Sequence, residues 1–252
     1  MAEQDLPFTS HLEELRKRLM IAAGAWFVAF LGCYAVAEKI FAYIAEPVKK
    51  ALPEGNTLVF INATEPFFTF MKLGALAGFL IAMPVIFWQA WSFVAPGLYS
   101  NEKRFVFPFV FVSTLCFASG TFFGFFLVFP QIFTFLISFG GSEFAPMLSM
   151  AGYLSFATKL LLAFGMVFEL PIVIFFLARM GVVDHKWLAA KRKYALVAGF
   201  IIGAMLTPPD VFSQTALALP FVILYEVGII VARFFGKKPV SEEDEDEAPD
   251  EA

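Results

Sequence analysis

The chain holds few of the residues that enzymes work with. Its 252 residues include two histidines and two cysteines. Cys33 and Cys116 stand singly in apolar runs, without the CxxC spacing of a redox or zinc site, and read as small buried hydrophobes. His11 and His185 have no GxSxG or HExxH pattern around them, which excludes the familiar serine and zinc hydrolases and leaves two surface histidines. No phosphate-cradling glycine loop and no cluster of metal ligands is present. The chain is therefore expected to be no enzyme, with no cofactor, no metal and no nucleic-acid partner. A cleavable leader is also missing: residues 1–10 carry Glu3 and Asp5 in place of a basic segment, and no small-residue cleavage site follows the first apolar run. The first helix is expected to be an uncleaved anchor.

Charge is scarce as well, at 16% of residues, while 60% are hydrophobic and the mean hydropathy is +0.76. Phenylalanine alone contributes 35 residues. That composition lies far outside the soluble range and predicts an all-α polytopic membrane protein. The net charge of −4 is misleading, because the last twelve residues, SEEDEDEAPDEA, hold eight acids. Residues 1–235 read as one transmembrane domain, and 236–252 as a disordered acidic cytoplasmic tail.

Six apolar runs are long enough to be spans or nearly so. TSHLEELRKRL at 9–19 reads as an amphipathic surface helix, with Ser10 and Glu13 in a capping box and Glu13/Lys17 and Glu14/Arg18 as i,i+4 pairs. It leads into a first span at about 19–37. Residues 38–66 form an external segment, with an interfacial helix broken at Pro47. The second span, about 67–93, is kinked at Pro84, and the third, about 106–129, ends at Pro130. The fourth covers about 156–180. The last two, about 195–206 and 213–234, are expected to be short, the latter interrupted by Pro220. Lys72 and Lys159 lie within spans and are expected to snorkel.

Lysine and arginine fall unevenly between these runs. Thirteen lie on the side of the termini and three, Lys39, Lys49 and Lys50, on the other. The bias predicts six spans with both termini in the cytoplasm.

The polar residues left over are scattered carboxylates. Glu169 lies mid-span, two residues before Pro171. A charge there costs at least roughly 2.5–3.5 kcal/mol on insertion scales, so it reads as functional rather than filler. On the residues alone Glu14 reads as a helix-surface ion pair and Glu102 as a solvated loop charge. Glu226 is either a partner contact or an interface charge, and Asp210 stands where it would cap the last helix. One function these acids allow is proton-coupled solute transport with Glu169 as carrier. Against it, the six spans enclose little volume and no internal repeat is evident.

Four motifs point elsewhere. HLEELRKRL at 11–19, FVAPGLYSNEKR at 93–104, FGMVFELP at 164–171 and TPPDVFSQ at 207–214 stand in the order and spacing of the TatC family, which this chain resembles to about residue 235. That family is the receptor core of the twin-arginine protein translocase in the prokaryotic cytoplasmic (inner) membrane. The resemblance implies a glove-shaped six-helix bundle that binds paired-arginine signal peptides of folded cargo. It also implies transport driven by the proton-motive force and a multi-subunit complex with single-span TatA/TatB-type partners. It assigns Glu14 and Glu102 to the signal-peptide arginines and Glu169 to the concave pocket. Pro47 and Phe93 fall at positions sensitive to change, and Met205, Leu206, Thr207 and Gln214 at the partner contact. Lys159 stands outside the family pattern.

Overall fold

The computed structural model describes residues 6–53, 56–94, 106–139, 146–207 and 210–236, which form an all-helical membrane protein. The chain divides into two compact units, Met1–Gly165 and Met166–Ala252, with the boundary inside one helix. Among the described residues, five helical stretches are long and apolar enough to cross a membrane: His11–Ala35, Glu65–Phe93, Phe107–Ser138, Met150–Arg179 and Val211–Phe235.

The first unit begins with α1 (Leu6–Ala35) and α4 (Glu65–Val94), packed antiparallel along their length. Apolar side chains gain little from leaving lipid for one another, so close backbone approach must hold such a pair. Gly74 and Gly78 supply it, four residues apart on one face of α4. A Cβ on Gly78 would lie 2.6 Å from the backbone nitrogen of Phe30, and one on Gly74 3.0 Å from Tyr34 Cα. Beside them the Trp26 indole donates to the Ala75 carbonyl at 3.0 Å. α1 starts at Leu6, so Ser10 lies inside the helix and is not its cap. Extending a helix already formed costs little per residue, and the apolar run downstream carries it past the expected start.

Between α1 and α4, α2 (Ala37–Ile44) and α3 (Glu46–Ala51) meet at Ala45, with Pro47 in the first turn of α3, where its missing N–H costs nothing. The expected break at Pro47 therefore falls one turn's start earlier. Residues 56–64 then join the segment before α7 (Met150–Phe168). Val59 donates to the Leu148 carbonyl at 3.0 Å and accepts from Met150 N–H at 2.9 Å. Glu65 fastens the same place: Oε1 accepts from Ala151 N–H at 2.9 Å and Oε2 from Ile61 N–H at 2.7 Å. Beneath this clamp lie Phe41, Phe70, Phe129, Phe133, Tyr153 and Phe156 in mutual ring contact, and the Tyr153 hydroxyl donates to the Ile44 carbonyl.

Pro130 does not end the third span. α5 (Val106–Phe123) passes into a π-turn (Gly124–Val128) and on through α6 (Phe129–Ser138). Proline lacks an N–H and its ring crowds the carbonyl four residues back; widening the preceding turn, with Phe129 N–H reaching Gly124, relieves the conflict and the helix continues. The π-turn and Pro84 border an apolar cavity of about 430 Å³.

In the second unit, the end of α7 passes at Glu169 into α8 (Leu170–Arg179), which Gly181 closes at φ +78°. α9 (His185–Ala190), α10 (Arg192–Leu206) and α11 (Val211–Phe235) follow. At 15 residues α10 is about 22 Å long, short of a hydrocarbon core of about 30 Å. α11 is not short: it runs 25 residues straight through Pro220. The lone missing bond is tolerated because the flanking turns remain intact and packed on α8 and α10. Gly199 and Gly203 bring α10 onto α11, where a Cβ on Gly203 would lie 3.2 Å from the Gln214 carbonyl. Ile174, Leu188, Phe221, Tyr225 and Ile229 fill the core between these helices.

Candidate functional site

The α1–α4 hairpin ends in a small group of side chains. His11, Glu14 and Arg18 recur at i, i+3 and i+7, one face of a helix. The His11 ring stacks on Phe93 at 4.4 Å and 21° between planes. Glu14 is half-buried and holds the guanidinium of Arg18: Oε1 accepts from Nε at 2.9 Å and from Nη2 at 2.5 Å. Phe93, Glu14 and His11, which had read only as a surface histidine, thus share one end of one hairpin. Glu102 lies outside the described residues.

Glu169 sits in the bend between α7 and α8. Its N–H reaches Met166 at 3.1 Å and its carbonyl accepts from Ile172 and Val173, both at 3.0 Å. Pro171 in the first turn of α8 removes the next donor, which fixes the bend at this residue. The Glu169 side chain does not cap α8, and its Oε1 is shielded from solvent. The expected bend appears here; the residue as a whole is half-buried, with one carboxylate oxygen shielded.

The ends of α10 and α11 are less uniform than expected. Met205 projects outward at 76% exposure, and Leu206 and Gln214 are half-buried. Thr207, expected at the partner contact, is buried; its hydroxyl donates to the Gly203 carbonyl at 2.8 Å and so satisfies a carbonyl at the helix end. Asp210 caps α11, accepting from Ser213 N–H at 2.7 Å. Glu226 is paired within the chain, taking Arg192 Nε at 2.6 Å and Nη2 at 2.9 Å, and so ties α10 to α11. Pro47 borders a cavity of about 320 Å³ with Glu46 and Lys50. The Lys50 hydrogen bond to Glu46, with its charge, holds that carboxyl below its ordinary range.

Two features escaped the sequence reading. Glu65 is 9% exposed and bonded to the backbone of two segments, at Ile61–Asn62 and at Ala151, though nothing but its place before a proline and an apolar run marks it out. Lys72 and Lys159, 87 residues apart, border one cavity of about 440 Å³.

These helices, with their carboxylates at helix bends and ends, define a polytopic helical membrane protein. Residues 10–220 match the family described as Sec-independent protein translocase protein (TatC). The chain is 47% identical over 243 residues to the Sec-independent protein translocase protein TatC of Desulforapulum autotrophicum, covering 96% of this chain and 90% of that one. To the TatC protein of Helicobacter pylori it is 43% identical over 237 residues, covering 94% and 93%. A crystal structure described as the twin arginine translocase receptor TatC superposes with a TM-score of 0.79 at 40% identity, covering 88% of this chain and 97% of that one. The chain belongs to the TatC family of protein translocase components. Membership sets aside the solute-transporter alternative.

Proposed function

We propose that the chain is the receptor core of a twin-arginine translocase and no enzyme. In this reading it lies in the inner membrane with both termini in the cytoplasm. Glu14, Glu102 and Phe93 receive the paired arginines of a signal peptide. The observation that supports this most is Glu14 itself, a half-buried carboxylate already holding a guanidinium through two nitrogens. Charge-assisted bonds of this sort are roughly twice as strong as neutral ones, and the planar fork distinguishes arginine from lysine. Arg18 is then the occupant that an incoming arginine displaces. Glu169 is the buried functional carboxylate, and Pro47 shapes the opposite end. Met205, Leu206, Thr207 and Gln214 form the contact for TatA/TatB-type single-span partners in an oligomeric complex, with Met205 the exposed member. Asp210 and Glu226 shape that contact by holding α10 and α11 in place. Residues 1–235 act as one transmembrane domain and 236–252 as a cytoplasmic tail.

The test is crosslinking of paired-arginine and paired-lysine peptides to membranes carrying wild type, Glu14→Ala, Glu102→Ala or both. Each single change lowers capture of the arginine peptide, and the double change loses less than the sum because both act on one ligand. Unchanged capture by all variants refutes the reading.

A further inference from the structure

Lys72 on α4 and Lys159 on α7 face one cavity of about 440 Å³ in the first unit, together with Trp26, Phe79, Ser155 and Thr158. Both residues are exposed, and neither forms an ion pair among the described residues. Their depth in the fold is set by the Glu65 clamp. The bond from Ala151 N–H to Glu65 makes the starts of α4 and α7 level. From the bonded residues Glu65 and Ala151, Lys72 lies about 10 Å and Lys159 about 12 Å along its helix. Two cations on separate helices thus line one cavity at nearly the same depth, inside stretches apolar enough to span a membrane. Single lysines in spans lift their ammonium groups to the interface along a flexible stem. Two that share a cavity repel each other unless an anion lies between them.

The cavity's other walls decide what that anion is. Leu76, Leu154, Leu162 and Phe79 make the interior apolar, and no carboxylate lines it. Ser155 and Thr158 add hydroxyls next to the lysines. A ligand that matches carries one negative group for two ammoniums and hydroxyls, with a hydrocarbon chain for the apolar wall. We propose that this cavity is a binding site for an anionic phospholipid, with its phosphodiester between Lys72 and Lys159 and an acyl chain along Phe79 and Leu162. It is separate from the Glu14 and Glu169 positions and does not depend on their assigned roles.

The probe is native mass spectrometry of the full chain in detergent, with phosphatidylglycerol and phosphatidylcholine offered in equal amounts. Wild type retains phosphatidylglycerol in preference. Lys72→Leu and Lys159→Leu, both of which make their spans more apolar, each reduce that preference roughly fivefold, in line with the attraction of one basic residue near a charged lipid surface. Together they abolish it, while Lys159→Arg keeps it. Excess sn-glycerol 3-phosphate does not displace the lipid, because the acyl chain supplies part of the binding. Equal retention of the two lipids by wild type, undiminished preference in the double variant, or displacement by glycerol phosphate would each overturn the proposal. The wild-type comparison stands without any variant.

Discussion

Arg18 occupies the carboxylate that a signal-peptide arginine is proposed to use. Removing it should therefore help binding. Arg18→Ala is expected to raise crosslinking of a paired-arginine peptide several-fold while leaving a paired-lysine peptide weak; lower capture in this variant would mean that Arg18 orients Glu14 instead of blocking it. Glu65 makes a different kind of prediction. Glu65→Ala strands the Ala151 N–H and loosens the Ile61 and Asn62 turn, at a cost on the order of 1–3 kcal/mol for each donor left dry. Glu65→Gln keeps an acceptor and loses less. Thermal unfolding in detergent separates the two, with Glu46→Ala, whose ion pair with Lys50 lies in solvent, expected to leave the melting temperature nearly unchanged.

Among the elements, helix existence was legible from hydropathy, and boundaries were not. Glu169 and Pro171 announce the bend between α7 and α8 because a mid-span charge and a missing donor are both costly and local. Pro130 misled because the relief lies in the turn before it, a backbone rearrangement that no side chain advertises. Thr207 is half legible: its polarity is visible in a sequence, but the carbonyl it bonds, that of Gly203, is known only once α10 has an end. The GALAG spacing at 74–78 was readable and passed over. It yields a test with an internal control. Gly78→Ala drives a Cβ to 2.6 Å from Phe30 backbone and should destabilise the α1–α4 hairpin by about 1–3 kcal/mol. Gly24→Ala, with nothing within 4 Å of its Cβ, should be neutral or stabilising by up to about 1 kcal/mol. The measurement is again the melting temperature, with Trp26 fluorescence reporting the hairpin itself.

At the scale of the whole molecule, lysine and arginine bias predicts that a cysteine placed at the N-terminus is labelled from the cytoplasm and one placed at 140–150 from outside. Transport carries the prediction for Glu169. Glu169→Gln keeps hydrogen-bonding capacity and should export cargo better than Glu169→Ala; equal export by wild type and both variants would make the carboxylate incidental. The pairing of Val59 with the backbone around Ser149 has a further consequence, for biogenesis. The two partners leave the ribosome 90 residues apart, roughly 5–20 s at ordinary elongation rates. Once α4 has followed, the α1–α4 hairpin can be closed by its glycines, while Val59 and Glu65 still lack the Leu148, Met150 and Ala151 groups they will bind. Helices α1 to α6 must therefore wait in the bilayer as a half-finished product, with the clamp open toward water, until α7 is threaded and locks it. A nascent chain halted before residue 150 should expose residues 56–64 to protease, and one released after α7 should not.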